Sequence, residues 1–223
     1  MKTFIKNHAI RAICFDVDGT FYPAEFYLKT YYEFLIDSLK VYYDYTREQS
    51  IKALTDYGIY NYYDPVNSRS GTDFMINTGI PADEWNAYRD IHYRLRGFKQ
   101  TTTVDVELLK DLKKDYLLFV VSNNTPDVIE ETLGEMEVDL DIFDYIYTSI
   151  DLFVDDHKVT KDHVYKRIHD TYDIAYEEMI GVGDRYIIDL DPLVQLGGNG
   201  LLVEGPEELI ALKELIVPKE KRA

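Results

Sequence analysis

The sequence predicts an α/β fold, a parallel sheet flanked by helices, with an all-α segment inserted after the first strand. Three observations carry this. Short apolar or β-branched runs alternate with amphipathic stretches over most of the chain, the pattern of a parallel sheet covered on both faces. The stretch 24–98 breaks the alternation and reads as helix throughout. It also differs in composition: it holds 12 of the 20 tyrosines and carries a net charge of −3 (11 acidic, 8 basic), which leaves −14 of the chain's −17 to the flanking segments.

The first predicted strand is IRAICF at 10–15. Within the insertion, a helix over about 25–43 is marked by Phe26, Tyr31, Phe34, Leu35 and Leu39 at helical spacing. A second is bounded by a Thr46/Gln49 capping box and by Gly58 at the left-handed C-cap position. A short helix ends near Gly79, and another follows Pro81 through Trp85, Tyr88, Ile91 and Leu95 to Gly97. The remaining strands are predicted at 116–121, 145–148, 179–182 and 200–203. The remaining helices are predicted at about 104–114, 126–136, 161–171, 189–196 and 206–216, with Pro126 and Pro206 in first turns and Thr125 as a cap.

Composition narrows the function. The chain has 223 residues, 46% of them hydrophobic, enough for one domain with a subdomain and a folded core. A single cysteine forms no internal disulfide, the start MKTFIKNHAIRAICFD lacks a signal-peptide apolar run, and no run approaches a membrane span. A cytoplasmic, reduced protein without a membrane partner is expected. The 41 acidic against 24 basic side chains count against nucleic acid, whose binding needs Lys and Arg on phosphates.

In parallel sheets, ligands bind at the carboxyl ends of the strands. The first strand ends in Asp16-Val17-Asp18-Gly19-Thr20, with two carboxylates two residues apart beside a glycine turn. The second ends in Ser122-Asn123-Asn124-Thr125 at a helix N-terminus, which attracts anions. The fourth ends in Gly183-Asp184-Arg185-Tyr186-Ile187-Ile188-Asp189. Two carboxylates about 4 Å apart repel by roughly 4 kcal/mol at an effective dielectric of 20, so a convergence of Asp16, Asp18 and Asp184 calls for a cation. Oxygen ligands with water positions suit Mg²⁺.

The ordered set FDVDGT, VVSNN, a lysine in 158–161 and GDRYIID resembles the four motifs of the haloacid dehalogenase (HAD) superfamily, whose members are mostly Mg²⁺-dependent phosphatases. The resemblance covers 1–23 and 99–223, a Rossmann-like core, and implies that 24–98 is a helical cap. It implies Asp16 as nucleophile and Asp18 as general acid and base. Mg²⁺ would be held by Asp16, the backbone carbonyl of Asp18 and Asp184, with Asp189 in support directly or through water. Ser122 and the lysine would hold phosphoryl oxygens, assisted by backbone N–H groups near Gly19 and Asn123. The lysine departs from the family pattern. The register that matches Tyr165 and Gly183-Asp184 puts Val159 in its slot, so Lys158, one residue off, is preferred, with Lys161 as the alternative.

Asp18 favours a phosphatase over a dehalogenase, because an alkoxide leaving group needs a proton and a halide does not. The substrate would be a small phosphorylated metabolite such as a sugar phosphate, a nucleoside monophosphate or phosphoglycolate. A sugar-phosphate mutase and a catalytically idle binding member of the fold are the alternatives. Phe21 and Tyr22, just past the Asp16–Thr20 turn, and Asn67, Ser68 and Arg69 in the cap loop are the substrate-contact candidates, Tyr22 and Arg69 foremost. Tyr31, Tyr32, Tyr42, Tyr43, Tyr62, Tyr63 and Trp85 read as bundle core. Arg89, Arg94 and Arg96 read as a solvated helix face, and Cys14 as a small buried residue.

Overall fold

The computed structural model describes residues 1–62, 64, 69–94, 101–154, 157–218, without the side chains of 153, 154, 157 and 158. Its centre is a six-stranded sheet in the order β1-β9-β8-β3-β4-β5, formed by β1 (Lys2–Phe4), β3 (Ala12–Phe15), β4 (Leu117–Val121), β5 (Tyr145–Tyr147), β8 (Met179–Gly183) and β9 (Asn199–Leu202). All pairs are parallel except β1 with β9. Two small pairs accompany it, β2 (Ala9–Ile10) with β10 (Val217–Pro218), and the hairpin β6 (Phe153–Val154) with β7 (His157–Lys158). The five expected strands are the five parallel ones. The antiparallel edge strand β1 was not expected, because three residues show no readable alternation.

Both faces of the sheet are buried, since alternate strand residues point to opposite sides. Ile13, Phe15, Leu118 and Val120 pack with α5 (Val106–Asp115), α6 (Pro126–Glu135) and α9 (Leu212–Leu215). Ala12, Cys14, Phe119 and Val121 pack with α7 (Lys161–Tyr172) and α8 (Asp191–Gln195). Cys14 is buried, which raises its thiol pKa and leaves it inert. The helices expected at 189–196 and 206–216 begin differently. A π-type turn at Tyr186–Leu190 precedes α8, and a 3₁₀ segment at Pro206–Ala211 precedes α9.

Among the described residues between β3 and α5 lie four helices: α1 (Ala24–Tyr43), α2 (Arg47–Tyr57), α3 (Gly71–Asn77) and α4 (Ala82–His92). They have a core of their own, with Leu35 and Leu39 of α1, Leu54 of α2, Met75 of α3 and Trp85 of α4 all nearly inaccessible. Trp85 and Tyr32 are core, as expected, whereas Tyr62 is exposed and stacks on Tyr60. Helix α4 stops at His92, short of the expected Gly97, and Leu95, Arg96 and Gly97 lie outside the described residues.

The α2 capping box forms as read. The Gln49 N–H donates to Thr46 Oγ1 at 3.3 Å, the Thr46 N–H to Gln49 Oε1 at 2.8 Å, and Gly58 closes the helix at φ 95°. Thr46→Ala is expected to lower stability by about 1 kcal/mol in urea unfolding. Among the described residues, no helix is long and apolar enough to cross a membrane.

Candidate active site

Strands β8, β3 and β4 are adjacent and in register, Phe15 lying between Val182 and Val120. Whatever follows them therefore emerges side by side. Asp16 continues β3, its N–H donating to the Val182 carbonyl at 2.8 Å, and its side chain is 3% exposed. Gly19 makes the turn after it at φ 72°, and a Cβ there would stand 2.3 Å from Asp184 Oδ2. Any larger residue would thus strain the turn and displace Asp184. Gly183 plays the packing role for Asp189, whose Cβ lies 2.5 Å from where a Cβ on residue 183 would be.

Lys161, the first residue of α7, reaches into this space and is itself buried. Its Nζ donates to Asp16 Oδ1 and to Asp189 Oδ1, both at 2.8 Å. The π-type turn after β8 folds Asp189 back so that its Oδ2 accepts from the Arg185 N–H at 2.9 Å, and Tyr165 donates to its carbonyl. Asp184 accepts from Tyr27 of α1 at 3.1 Å and has the Arg185 Nε 3.5 Å away.

Carboxylate oxygens of Asp16, Asp184 and Asp189 lie within 4.8 Å of one another. Burial, then the charge of Asp189, pushes the Asp16 carboxyl up to about 7, although Lys161 opposes this. Burial also lifts Asp184 well above its ordinary value. Burial works against the charge of Asp189 too, but Lys161 and Arg185 outweigh it and hold that carboxyl below the usual range. The cluster is thus short of positive charge. Asp16 Oδ2 is buried with no hydrogen-bond partner among the described residues, and an all-oxygen donor set of this kind fits a hard divalent cation.

A pH dependence follows. Asp16 keeps its proton to about pH 7 when folded but only to about 3.8 when unfolded, so the folded state binds more protons between those values. Stability without a divalent cation is then expected to fall as pH rises through that window. A cation replaces the proton, so Mg²⁺ should raise the melting temperature more at pH 8 than at pH 5. Equal shifts at the two values would refute this.

Asp18 sits apart from the metal-type cluster. Its Oδ1 accepts from Tyr22, and both its oxygens accept from Asn124 Nδ2, at 3.0 and 2.9 Å. Ser122 is buried at the end of β4, with its Oγ accepting from the Asn124 N–H at 3.2 Å. Thr125 holds the expected N-cap position of α6 but makes no side-chain cap hydrogen bond, because its hydroxyl is turned to Asp90 of α4. Tyr22 is buried against Asp18, and Arg69 is exposed, 5.6 Å over the Tyr57 ring. Asn67 and Ser68 lie outside the described residues. The Lys158 backbone is in β7 and its side chain is not described, so only Lys161 is seen to meet Asp16.

Arg89 overturns its reading as a solvated residue. It is 2% exposed and donates to Thr72 Oγ1 (3.0 Å), the Asn123 carbonyl (3.3 Å) and Asn124 Oδ1 (2.6 Å). The signal was its spacing of four from the core residue Trp85, which puts both on one helix face. Tyr27 was also missed, and nothing in its sequence neighbourhood distinguishes it from the other aromatics of α1.

Acids meet at adjacent strand ends beside a buried lysine, the edge at which parallel-sheet proteins bind ligands. The chain belongs to the haloacid dehalogenase-like hydrolases, whose family model matches residues 10–197. Solved structures share the fold. A haloacid dehalogenase-like hydrolase of Bacteroides fragilis aligns at 18% identity with a TM-score of 0.56, over 93% of this chain and 94% of that one. A HAD phosphatase of Thermococcus onnurineus aligns at 15% and 0.55, over 93% and 99%. The HAD-hydrolase YfnB of Bacillus subtilis, bound to magnesium, aligns at 14% and 0.51, over 92% and 99%. No match was found among curated proteins.

Proposed function

We propose that the protein is a Mg²⁺-dependent phosphatase of small phosphate monoesters that works through an aspartyl-phosphate on Asp16. The observation that carries this is the buried Asp16, ion-paired to Lys161 through one oxygen, with its other oxygen lacking a hydrogen-bond partner among the described residues. A carboxylate oriented by a buried cation and left with a reactive oxygen is suited to attack on phosphorus.

Asp16 attacks phosphorus and the ester P–O bond breaks, while Asp18 donates a proton to the departing alkoxide. Asp18 then takes a proton from water, whose oxygen attacks phosphorus and releases inorganic phosphate from Asp16. Lys161, Ser122 and the N–H groups near Gly19 and Asn123 hold phosphoryl oxygens. Lys161 replaces Lys158 in this role, because it is the lysine at hydrogen-bond distance from Asp16. Asp16, the Asp18 carbonyl and Asp184 would hold Mg²⁺, with Asp189 in support, since both Asp189 oxygens already accept hydrogen bonds. The ion would neutralise charge on the transferring group.

In this reading, 24–98 is a cap over a core of 1–23 and 99–223, and Tyr22 at the end of the first core segment and Arg69 in the cap remain the substrate-contact candidates. The substrate is a small phosphorylated metabolite met in the cytoplasm. A phosphate-release screen over sugar phosphates, nucleoside monophosphates and phosphoglycolate tests the reading. Turnover with Mg²⁺ and none with EDTA is expected, and no turnover of any ester with Mg²⁺ would refute it.

A further inference from the structure

Arg89 is a buried guanidinium with no carboxylate within ion-pair distance among the described residues. Among those residues its three acceptors are all neutral, and its Nε has no partner. Burying such a charge is costly, so its position calls for a reason beyond packing. The reason lies in its contact with Asn124. A guanidinium only donates, so the Asn124 atom facing it must be the carbonyl oxygen. The amide nitrogen is thereby turned to the opposite side, where it donates to both oxygens of Asp18. Tyr22 completes the grip on Asp18.

The same helix makes a second tie to the same loop, through Asp90 and Thr125. Both ties join α4, in the helical insertion, to the segment after β4. Asp18, Arg89, Asn124, Tyr27 and Thr72 line one small space. We propose that Arg89 is a positioning residue. By fixing the Asn124 amide it orients the Asp18 carboxyl, so that proton delivery to the leaving group depends on α4 being seated on the core. The proposal rests on the phosphatase reading above, in which Asp18 is the general acid.

Leaving-group chemistry separates this role from a structural one. An alkyl phosphate needs a proton on departure and p-nitrophenyl phosphate does not, and a positioned acid is worth roughly 10² to 10⁴ in rate. For Arg89→Met, kcat/KM, which reports the steps up to departure of the leaving group and not the later hydrolysis in which Asp18 acts as base, is expected to fall about 30-fold or more on an alkyl phosphate and no more than about 5-fold on p-nitrophenyl phosphate. The double variant Asp18→Asn/Arg89→Met should be no slower on the alkyl ester than Asp18→Asn alone, since both remove one function.

Should Arg89→Met fail to fold, Arg89→Lys keeps a charge but loses the planar fork, and the same split is expected. Equal losses on the two esters, or additive losses in the double variant, would overturn the proposal and leave the phosphatase reading intact. A wild type inactive with Mg²⁺ on every ester of the screen would instead overturn that reading, and this proposal with it.

Discussion

Lys161→Met is expected to abolish turnover and to lower stability by about 3 to 5 kcal/mol at neutral pH, the usual cost of leaving buried charges without their partner. Lys161 is the shared counter-charge of Asp16 and Asp189, and all three side chains are buried. Without it, ionising both carboxyls, whose oxygens lie within 4.8 Å of one another, would cost roughly 3 kcal/mol at an effective dielectric of 20. The pH dependence has a definite sign. The Asp189 carboxyl is held below its ordinary range, chiefly by Lys161 once burial is overcome. That stabilisation is present above the unfolded pKa and is lost as pH falls through the folded one. That part of the variant's deficit should therefore be complete above about pH 3.8 and shrink below it, read by urea unfolding in EDTA. Lys158→Ala should leave both activity and stability close to wild type. The opposite pattern, with Lys158→Ala inactive and Lys161→Met active, would return the role to Lys158.

The choice between the two lysines shows where the sequence stops being readable. Asp16 and Asp184 were legible because each directly follows a strand, and a strand's carboxyl end fixes where the next residue emerges. The lysine follows no strand of the central sheet. Lys158 ends the β6–β7 hairpin and Lys161 opens α7, so which of them reaches the site depends on how far the chain travels before the helix starts. First-turn lysines are ordinarily solvated, and nothing local marked Lys161 as buried. What buries it is the packing of α7 against the face of the sheet that carries Cys14 and Met179, through Val164, Tyr165 and Ile168.

The helical insertion was legible in its parts and not in its attachment. The Thr46–Gln49 box and Gly58 are local devices and formed as read. The contact of Arg89 with Asn123 and Asn124 joins residues 34 and 35 positions apart across two packed units, and no local pattern reports such a contact. Thr125 illustrates the same competition. Its sequence context is that of a cap, but Asp90 stands close enough to take its hydroxyl, and the tertiary partner prevails.

Asp16→Asn is expected to separate activity from stability. An amide cannot serve as the nucleophile, so phosphate release should fall by roughly 10⁴-fold or more, the scale seen when a covalent nucleophile is removed. Stability in EDTA should move the other way at high pH. The Asp16 carboxyl is pushed up to about 7, first by burial and then by Asp189, so ionising it above that pH works against the fold. The asparagine stays neutral, still offers Lys161 an oxygen, and places an N–H₂ among the acceptors of Asp184 and Asp189. Near pH 5 the wild-type residue is itself protonated, and the two proteins should melt close together. At pH 8 the variant should melt higher, and Mg²⁺ should narrow the gap by stabilising only the wild type appreciably. A variant less stable than wild type at pH 8 in EDTA would show that the charged Asp16 is held by its ion pair with Lys161 more than it is opposed by burial. The raised carboxyl would then be no sign of a site that waits for a cation.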